Sequence, residues 1–139
     1  MSEEYYIKCY HEEQMKIAKL DVLPERDGVT ITFLMDEYEY VKKADNYFGT
    51  LVEIRKELEL RNMKLLCKGC CRNVYPSPMS FDMCGGLIAY TMKMGEEVSR
   101  EDKVNIFKDC TLEEYASVDE QLSYCKEWYE HIKELRGTM

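Results

Sequence analysis

Val29-Thr30-Ile31-Thr32-Phe33-Leu34-Met35 is the stretch of this chain that decides its fold class. Apolar side chains occupy every second position of the stretch, and both threonines lie between them. Because successive side chains of a β-strand point to opposite faces, this pattern predicts a strand with one buried face. The preceding Pro24-Glu25-Arg26-Asp27-Gly28 is turn material, and Lys16 to Leu23 alternates loosely. The sequence therefore predicts a β-hairpin from Lys16 to Met35.

A first helix is predicted from about Asn46 to Arg61, with Asp45 as its N-cap. Its apolar residues recur at helical spacing and form the expected buried stripe, which consists of Tyr47, Leu51, Ile54 and Leu58. Its charged residues are expected on the solvated side, and they are Glu53, Arg55, Lys56, Glu57 and Glu59.

A second helix is predicted over residues 118–135. Ser117 and Glu120 have the spacing of a capping box, and Gly137 is expected to end the helix. The expected apolar stripe consists of Val118, Leu122, Cys125, Tyr129 and Ile132.

Three further strands are predicted at Tyr5 to Tyr10, Met63 to Cys67 and Leu87 to Met94. In the last of these, Ile88, Tyr90, Met92 and Met94 are expected on one face. The order of elements predicts an α+β fold, with an antiparallel or mixed sheet and two helices packed on one face. We expect one domain over residues 1–139, since no repeat or Pro/Gly/Ser-rich linker interrupts the chain.

The chain is acidic. It carries 19 Lys and Arg residues against 27 Asp and Glu residues, and its formal net charge is −8. A protein that binds nucleic acid usually presents a basic face to the phosphates, so we expect no direct nucleic-acid contact. The acidity favours either a basic protein partner, through electrostatic steering, or simple solubility.

The cysteine content predicts a reducing compartment. There are seven cysteines, an odd number, and the N-terminal residues have neither the basic nor the apolar segment of a signal peptide. No apolar run approaches the roughly 18 residues of a spanning helix. We therefore expect a cytoplasmic protein with free thiols and no membrane contact.

The sequence argues against a metal, a cofactor or a catalytic residue. Cys67 and Cys70 form a single C-x-x-C, whereas a structural zinc site usually needs two such pairs, and only Cys84 follows nearby. Neither His11 nor His131 has metal-ligand spacing or an evident catalytic cysteine partner.

The segment from Gly69 to Gly86 is predicted to be a packed irregular loop. It is too rich in Pro, Ser and Gly for a regular element and too apolar for a simple solvent loop, and such loops are often functional. Arg72 is expected to be partly buried against an anion, either a ligand or an internal acid such as Asp82. The predicted binding residues of the loop are Arg72, Tyr75, Ser77 and Met79.

By contrast, Glu96 to Glu120 holds nine acids and three bases. This stretch is read either as ordinary surface acid or as a contact for a basic partner. Under the second interpretation, Glu113, Glu114 and Asp119 are predicted binding residues.

Arg72-Asn73-Val74-Tyr75-Pro76-Ser77, with Met79 two positions on, resembles a group of small uncharacterised bacterial proteins that share an R-x-V-Y-P-S-x-M core. The similarity spans about Tyr47 to Trp128. The group typically has Gly where this chain has Pro78, and its positions matching Cys70 and Cys71 vary, which argues against a cysteine-based mechanism. In size and acidity the chain is similar to the immunity proteins of bacterial toxin systems, and that analogy implies a partner such as a basic nuclease.

Two functional hypotheses follow. The first is a non-catalytic cytosolic binding protein, most concretely an immunity protein that blocks a basic toxin domain. The alternative is a small-molecule-binding protein or enzyme that uses the Arg72–Met79 loop as its pocket.

Overall fold

The computed structural model describes residues 1–137 and has an α+β architecture. Its larger sheet has five antiparallel strands in the order β4-β3-β2-β1-β5. The strands are β1 (Glu3–His11), β2 (Gln14–Glu25), β3 (Gly28–Met35), β4 (Tyr38–Ala44) and β5 (Lys64–Leu65). Of the segment predicted as a strand at Met63 to Cys67, only β5 pairs in the sheet, although the apolar residues around it are buried.

The predicted hairpin is confirmed as β2 and β3, which pair with Leu20 opposite Phe33 and Val22 opposite Ile31. The four alternating apolar side chains of β3 are all buried, as predicted. Gly28 begins β3 with φ of +150°, and a Cβ there would collide with the carbonyl oxygen of Ala44. Glycine is therefore required where the turn passes the end of β4.

Strand β4 was not predicted, because its inner face is built from tyrosines and a lysine rather than from aliphatic residues. It pairs with β3 over its whole length, and Tyr38 and Tyr40 on its inner face pack against the core.

Helix α1 (Tyr47–Glu59) packs over β3 and β4. Its N-cap is Asn46, whose side chain accepts a hydrogen bond from Gly49 N at 2.7 Å, so the prediction of Asp45 as N-cap was wrong. Most of the predicted stripe is buried, but Arg55 is also buried at 1 % exposure and does not lie on the solvated side. Arg55 is buried because polar groups from distant parts of the chain accept hydrogen bonds from its guanidinium.

A second, three-stranded antiparallel sheet runs in the order β6-β7-β8, with β6 (Val74–Tyr75), β7 (Ile88–Thr91) and β8 (Lys103–Asn105). Between β6 and β7 lies helix α2 (Pro78–Cys84), inside the segment predicted as irregular. Pro78 is compatible with this helix because it occupies the first position, where its missing N–H has no intrahelical partner. In β7 Ile88 and Tyr90 share one half-exposed face, as the predicted alternation requires, and the fully buried residue is Ala89 on the opposite face.

Helix α3 (Val118–Gly137) begins at the predicted capping box. Ser117 N donates to Glu120 Oε1 at 2.8 Å, and Glu120 N donates to Ser117 Oγ at 3.1 Å. Gly137, expected to end the helix, is its last described residue. The buried stripe is rotated from the predicted one and consists of Gln121, Cys125, Trp128 and Ile132.

We predicted that the two long helices pack on one face of a single sheet, and the structure differs from this. Helix α3 packs against β6 and α1, and with Met92 it forms a second, smaller apolar cluster beside the three-stranded sheet. Within residues 1–137, no helix combines the length and the apolar character needed to cross a bilayer.

Candidate functional site

A groove of about 420 Å³ lies between helix α2 and strands β7 and β8. We call it the methionine groove, and its lining consists of Ser77, Met79, Ser80, Met83, Cys84, Ile88, Tyr90, Lys103, Val104 and Asn105. Most of this lining is apolar, and the polar groups lie along it singly. The groove therefore suits apolar side chains held in place by a few hydrogen bonds.

Helix α2 forms one wall of the groove because both of its ends are capped. Ser77 Oγ accepts a hydrogen bond from Ser80 N at 3.0 Å, and Gly85 ends the helix in the left-handed conformation with φ of +62°. Met79 and Met83 are one helical turn apart, and their side chains are 69 % and 79 % exposed. Two large apolar side chains thus stand side by side in solvent.

The base of α2 is fixed to the sheet below the groove. The buried Ser80 hydroxyl donates to the carbonyl oxygen of Ile88, and the Cys84 sulfur lies 3.4 Å from Ser80 Oγ. Tyr75 lies beneath the helix, with its ring centroid 4.9 Å from that of Phe48 in an edge-on contact. The groove is therefore a preformed surface on packed elements.

The structure divides the predicted loop residues between two places. Ser77 and Met79 line the methionine groove, and Tyr75 supports it from below. Arg72 lies elsewhere, beside the first turn of α3, with Nη2 3.6 Å from Glu120 Oε2 and its side chain 58 % exposed. The prediction of a partly buried Arg72 was wrong, because the acid that pairs with it is itself on the surface.

The predicted acidic residues also differ from one another. Glu113 and Asp119 are exposed. Glu114 is tied into the fold, since its carboxylate lies 3.1 Å from Lys68 Nζ and accepts a hydrogen bond from Thr111 N at 2.9 Å. The Thr111 amide and the Lys68 ammonium lower the pKa of Glu114. Of the three residues, Glu113 and Asp119 are the ones left open to a partner.

Sequence reasoning missed most of the groove lining, namely Ser80, Met83, Cys84, Ile88, Tyr90, Lys103, Val104 and Asn105. The spacing of Met79 and Met83, four positions apart after a Ser-Pro start, was the available signal for a helix that exposes both side chains. The strand that contains β7 was predicted from its alternation, but its pairing with β8, which completes the groove, is long-range.

Two groups of thiols also meet in the interior. The sulfurs of Cys67 and Cys70 are 3.6 Å apart. The sulfurs of Cys71 and Cys110 and a carboxylate oxygen of Glu114 all lie within 4.8 Å of one another. In residues 1–137 this second group is the set of side chains with the spacing to hold a metal ion.

Comparison with known proteins assigns no family to the chain: no family model matches it, and no curated protein matches its sequence.

Proposed function

We propose that this chain is a non-catalytic cytoplasmic binding protein, most concretely an immunity protein that blocks a basic bacterial toxin domain, and that the partner docks at the methionine groove. The observation that carries the proposal is the exposure of Met79 and Met83 above an apolar groove. Clustered exposed apolar side chains mark interaction surfaces, and methionine adapts its shape to a partner's side chains.

The charge around the groove favours a basic partner. Asp82 is exposed on α2 between the two methionines, and Glu101 and Asp102 directly precede Lys103 on the other side of the groove. The whole chain has a net charge of −8, so a basic domain is attracted over a long range before its apolar residues dock.

The alternative is a small molecule held by the Arg72–Met79 loop. Ser77 and Met79 remain available to it at the groove, but Arg72 does not line the groove and instead faces Glu120. The charged anchor on which that hypothesis relied is thus absent from the groove lining, which favours the protein partner.

The test begins with the neighbouring gene, which under this proposal encodes a basic toxin domain; that domain is then titrated with a double variant, Met79→Ala with Met83→Ala. We expect the affinity for the toxin domain, measured by calorimetry, to fall by about tenfold or more, because central apolar contacts dominate interface energies. Met15→Ala is the matched control, since Met15 is 50 % exposed in β2. Equal affinities for the double variant and the parent protein would contradict docking at the groove.

A second pair of variants tests the electrostatic part. Reversal of Glu113 and Asp119 to lysine should slow association in stopped-flow measurements at low salt, with a smaller effect at high salt. Glu114 is left unchanged because of its bonds to Lys68 and Thr111. Arg72→Ala should be silent; if it abolishes protection from the toxin while the reversals do nothing, the small-molecule alternative is favoured instead.

A further inference from the structure

Four buried cysteines lie where residues 66–72 run beside residues 108–116. Cys67 forms an antiparallel bridge with Asp109, Cys71 forms one with Tyr115, and Cys110 N donates to Leu66 O at 3.2 Å. Cys67, Cys70 and Cys71 are fully buried, and Cys110 is 8 % exposed. Backbone pairing therefore brings Cys110 to a C-x-x-C-C segment some forty positions earlier in the chain.

Part of this cluster has the geometry of a metal site. The sulfurs of Cys71 and Cys110 and a carboxylate oxygen of Glu114 lie within 4.8 Å of one another. Sulfur and oxygen ligands on a tetrahedral zinc ion, at about 2.3 and 2.1 Å from the metal, are separated by roughly 3.5–3.8 Å. Small side-chain rotations are enough to bring the three ligand atoms to these separations. Glu114 is half-exposed and gives an ion a path from solvent.

The surrounding charges fit an anionic centre. Lys68 Nζ lies 3.1 Å from the Glu114 carboxylate. Lys68 also lies close enough to Cys71 and Cys110 for its charge to interact with both thiols.

We propose that Cys71, Cys110 and Glu114 bind one zinc ion, with water in the fourth position on the side that Glu114 leaves open. Two thiolates and a carboxylate around Zn²⁺ carry a net negative charge, which the ammonium group of Lys68 balances. Thiolate ligands select zinc over magnesium or calcium. This proposal departs from the expectation drawn from the sequence, which was that the chain binds no metal. That expectation found only Cys84 near the C-x-x-C as a further cysteine, and Cys84 lies at the methionine groove.

Cysteine binds zinc as the thiolate, so zinc binding should release protons and weaken as the pH falls.

The test is zinc retention by the whole chain. Protein purified under reducing conditions is loaded with zinc chloride, desalted and analysed for metal, and we expect one zinc per chain. Cys110→Ser should lose the zinc, whereas Cys125→Ser, a buried thiol of α3 outside the cluster, should retain it. Glu114→Gln changes an exposed side chain and should weaken zinc binding by about tenfold or more in a chelator competition, as loss of a charged ligand predicts.

Cobalt substitution of the parent protein keeps the test independent of whether Cys110→Ser folds. Co²⁺ bound by Cys71 and Cys110 should show sulfur-to-cobalt charge-transfer absorption. The proposal fails if the parent protein retains no zinc, if Cys110→Ser keeps it, or if the cobalt spectrum lacks that absorption. It also fails if thiol titration of denatured protein in EDTA finds two fewer free thiols than the seven cysteines provide and peptide mapping places a disulfide between Cys71 and Cys110.

Discussion

Arg55 Nη1 donates a hydrogen bond of 2.6 Å to Gln121 Oε1 in the interior of the molecule, and 66 positions of the chain separate the two residues. Arg55 also donates to the carbonyl oxygens of Gly69 and Ala116. The side-chain amide of Gln121 donates to the carbonyl oxygens of Gly69, Cys71 and Val74, each at 2.9 Å. This buried network joins α1, α3 and the segment that contains the thiols.

Gln121→Ala should be strongly destabilising. The substitution removes the acceptor for a buried guanidinium and the side-chain donor to the carbonyl oxygens of Cys71 and Val74, while Gly69 keeps its bond from Arg55. We therefore expect the free energy of unfolding to fall by about 3–5 kcal/mol. Urea unfolding followed by circular dichroism measures it. Leu122→Ala, next to it on the exposed side of α3, should cost less than about 1 kcal/mol. Similar losses for both variants would contradict a central role for the network.

The same network shows which part of the fold could not be predicted from the sequence. The i, i+3, i+4 pattern correctly placed Leu51, Ile54 and Leu58 in the core, because that information is local to α1. The pattern assigned Arg55 to solvent, since a charge is exposed by default. Its burial depends on partners in α3 and in the 69–74 segment, which no local window contains.

Asn46→Ala should cost about 1 kcal/mol of unfolding free energy, because the Asn46 side chain caps α1 through Gly49 N at 2.7 Å. Asp45→Ala is the matched variant at the neighbouring position, and it should change stability by less than about 0.5 kcal/mol. Thermal or urea denaturation of both proteins checks the assignment. A larger loss for Asp45→Ala would restore the N-cap predicted from the sequence.

The predicted stripe of α3 was right for Cys125 and Ile132, but Gln121 and Trp128 are buried where Leu122 and Tyr129 were expected. Tyr129 fits the apolar spacing from Cys125, yet it is 42 % exposed, whereas Trp128 is 6 % exposed. Indole Nε1 donates to the carbonyl oxygens of Lys93 and Glu96 at 2.9 and 3.0 Å. Hydrogen bonds to the loop after β7 thus bury Trp128 instead of Tyr129. Both this loop and the methionine groove depend on the pairing of β7 with β8, which hydropathy does not predict.

Trp128→Ala should therefore destabilise the protein by about 3–5 kcal/mol, as expected for removal of a buried aromatic side chain. Tyr129→Ala should cost less, because Tyr129 is 42 % exposed and loses mainly its edge-on contact with the Trp128 ring. The midpoints of urea unfolding distinguish the two. A lower unfolding midpoint for Tyr129→Ala than for Trp128→Ala would contradict the burial of Trp128 in place of Tyr129.

Cys84 should be the most reactive thiol at neutral pH. Burial raises its pKa, but hydrogen bonds from Ser80 and from the backbone amides of Ile88, Gly86 and Leu87 outweigh that effect and lower the pKa below the ordinary thiol value. In Cys125, burial alone raises the pKa to about 11. Since only the thiolate is alkylated, modification by iodoacetamide should speed up with pH at Cys84 and level off at a lower pH than for an ordinary thiol.

Mass spectrometry of peptides from protein alkylated at a series of pH values measures both sites in one sample. At Cys125 the rate should be low at neutral pH and still rising in alkaline solution. Ser80→Ala removes one of the hydrogen bonds that favour the thiolate, so the midpoint for Cys84 should move to higher pH while Cys125 keeps its profile. An unchanged Cys84 midpoint in Ser80→Ala would show that the serine hydroxyl anchors α2 to Ile88 without stabilising the thiolate, and that the backbone amides alone account for the lowered pKa.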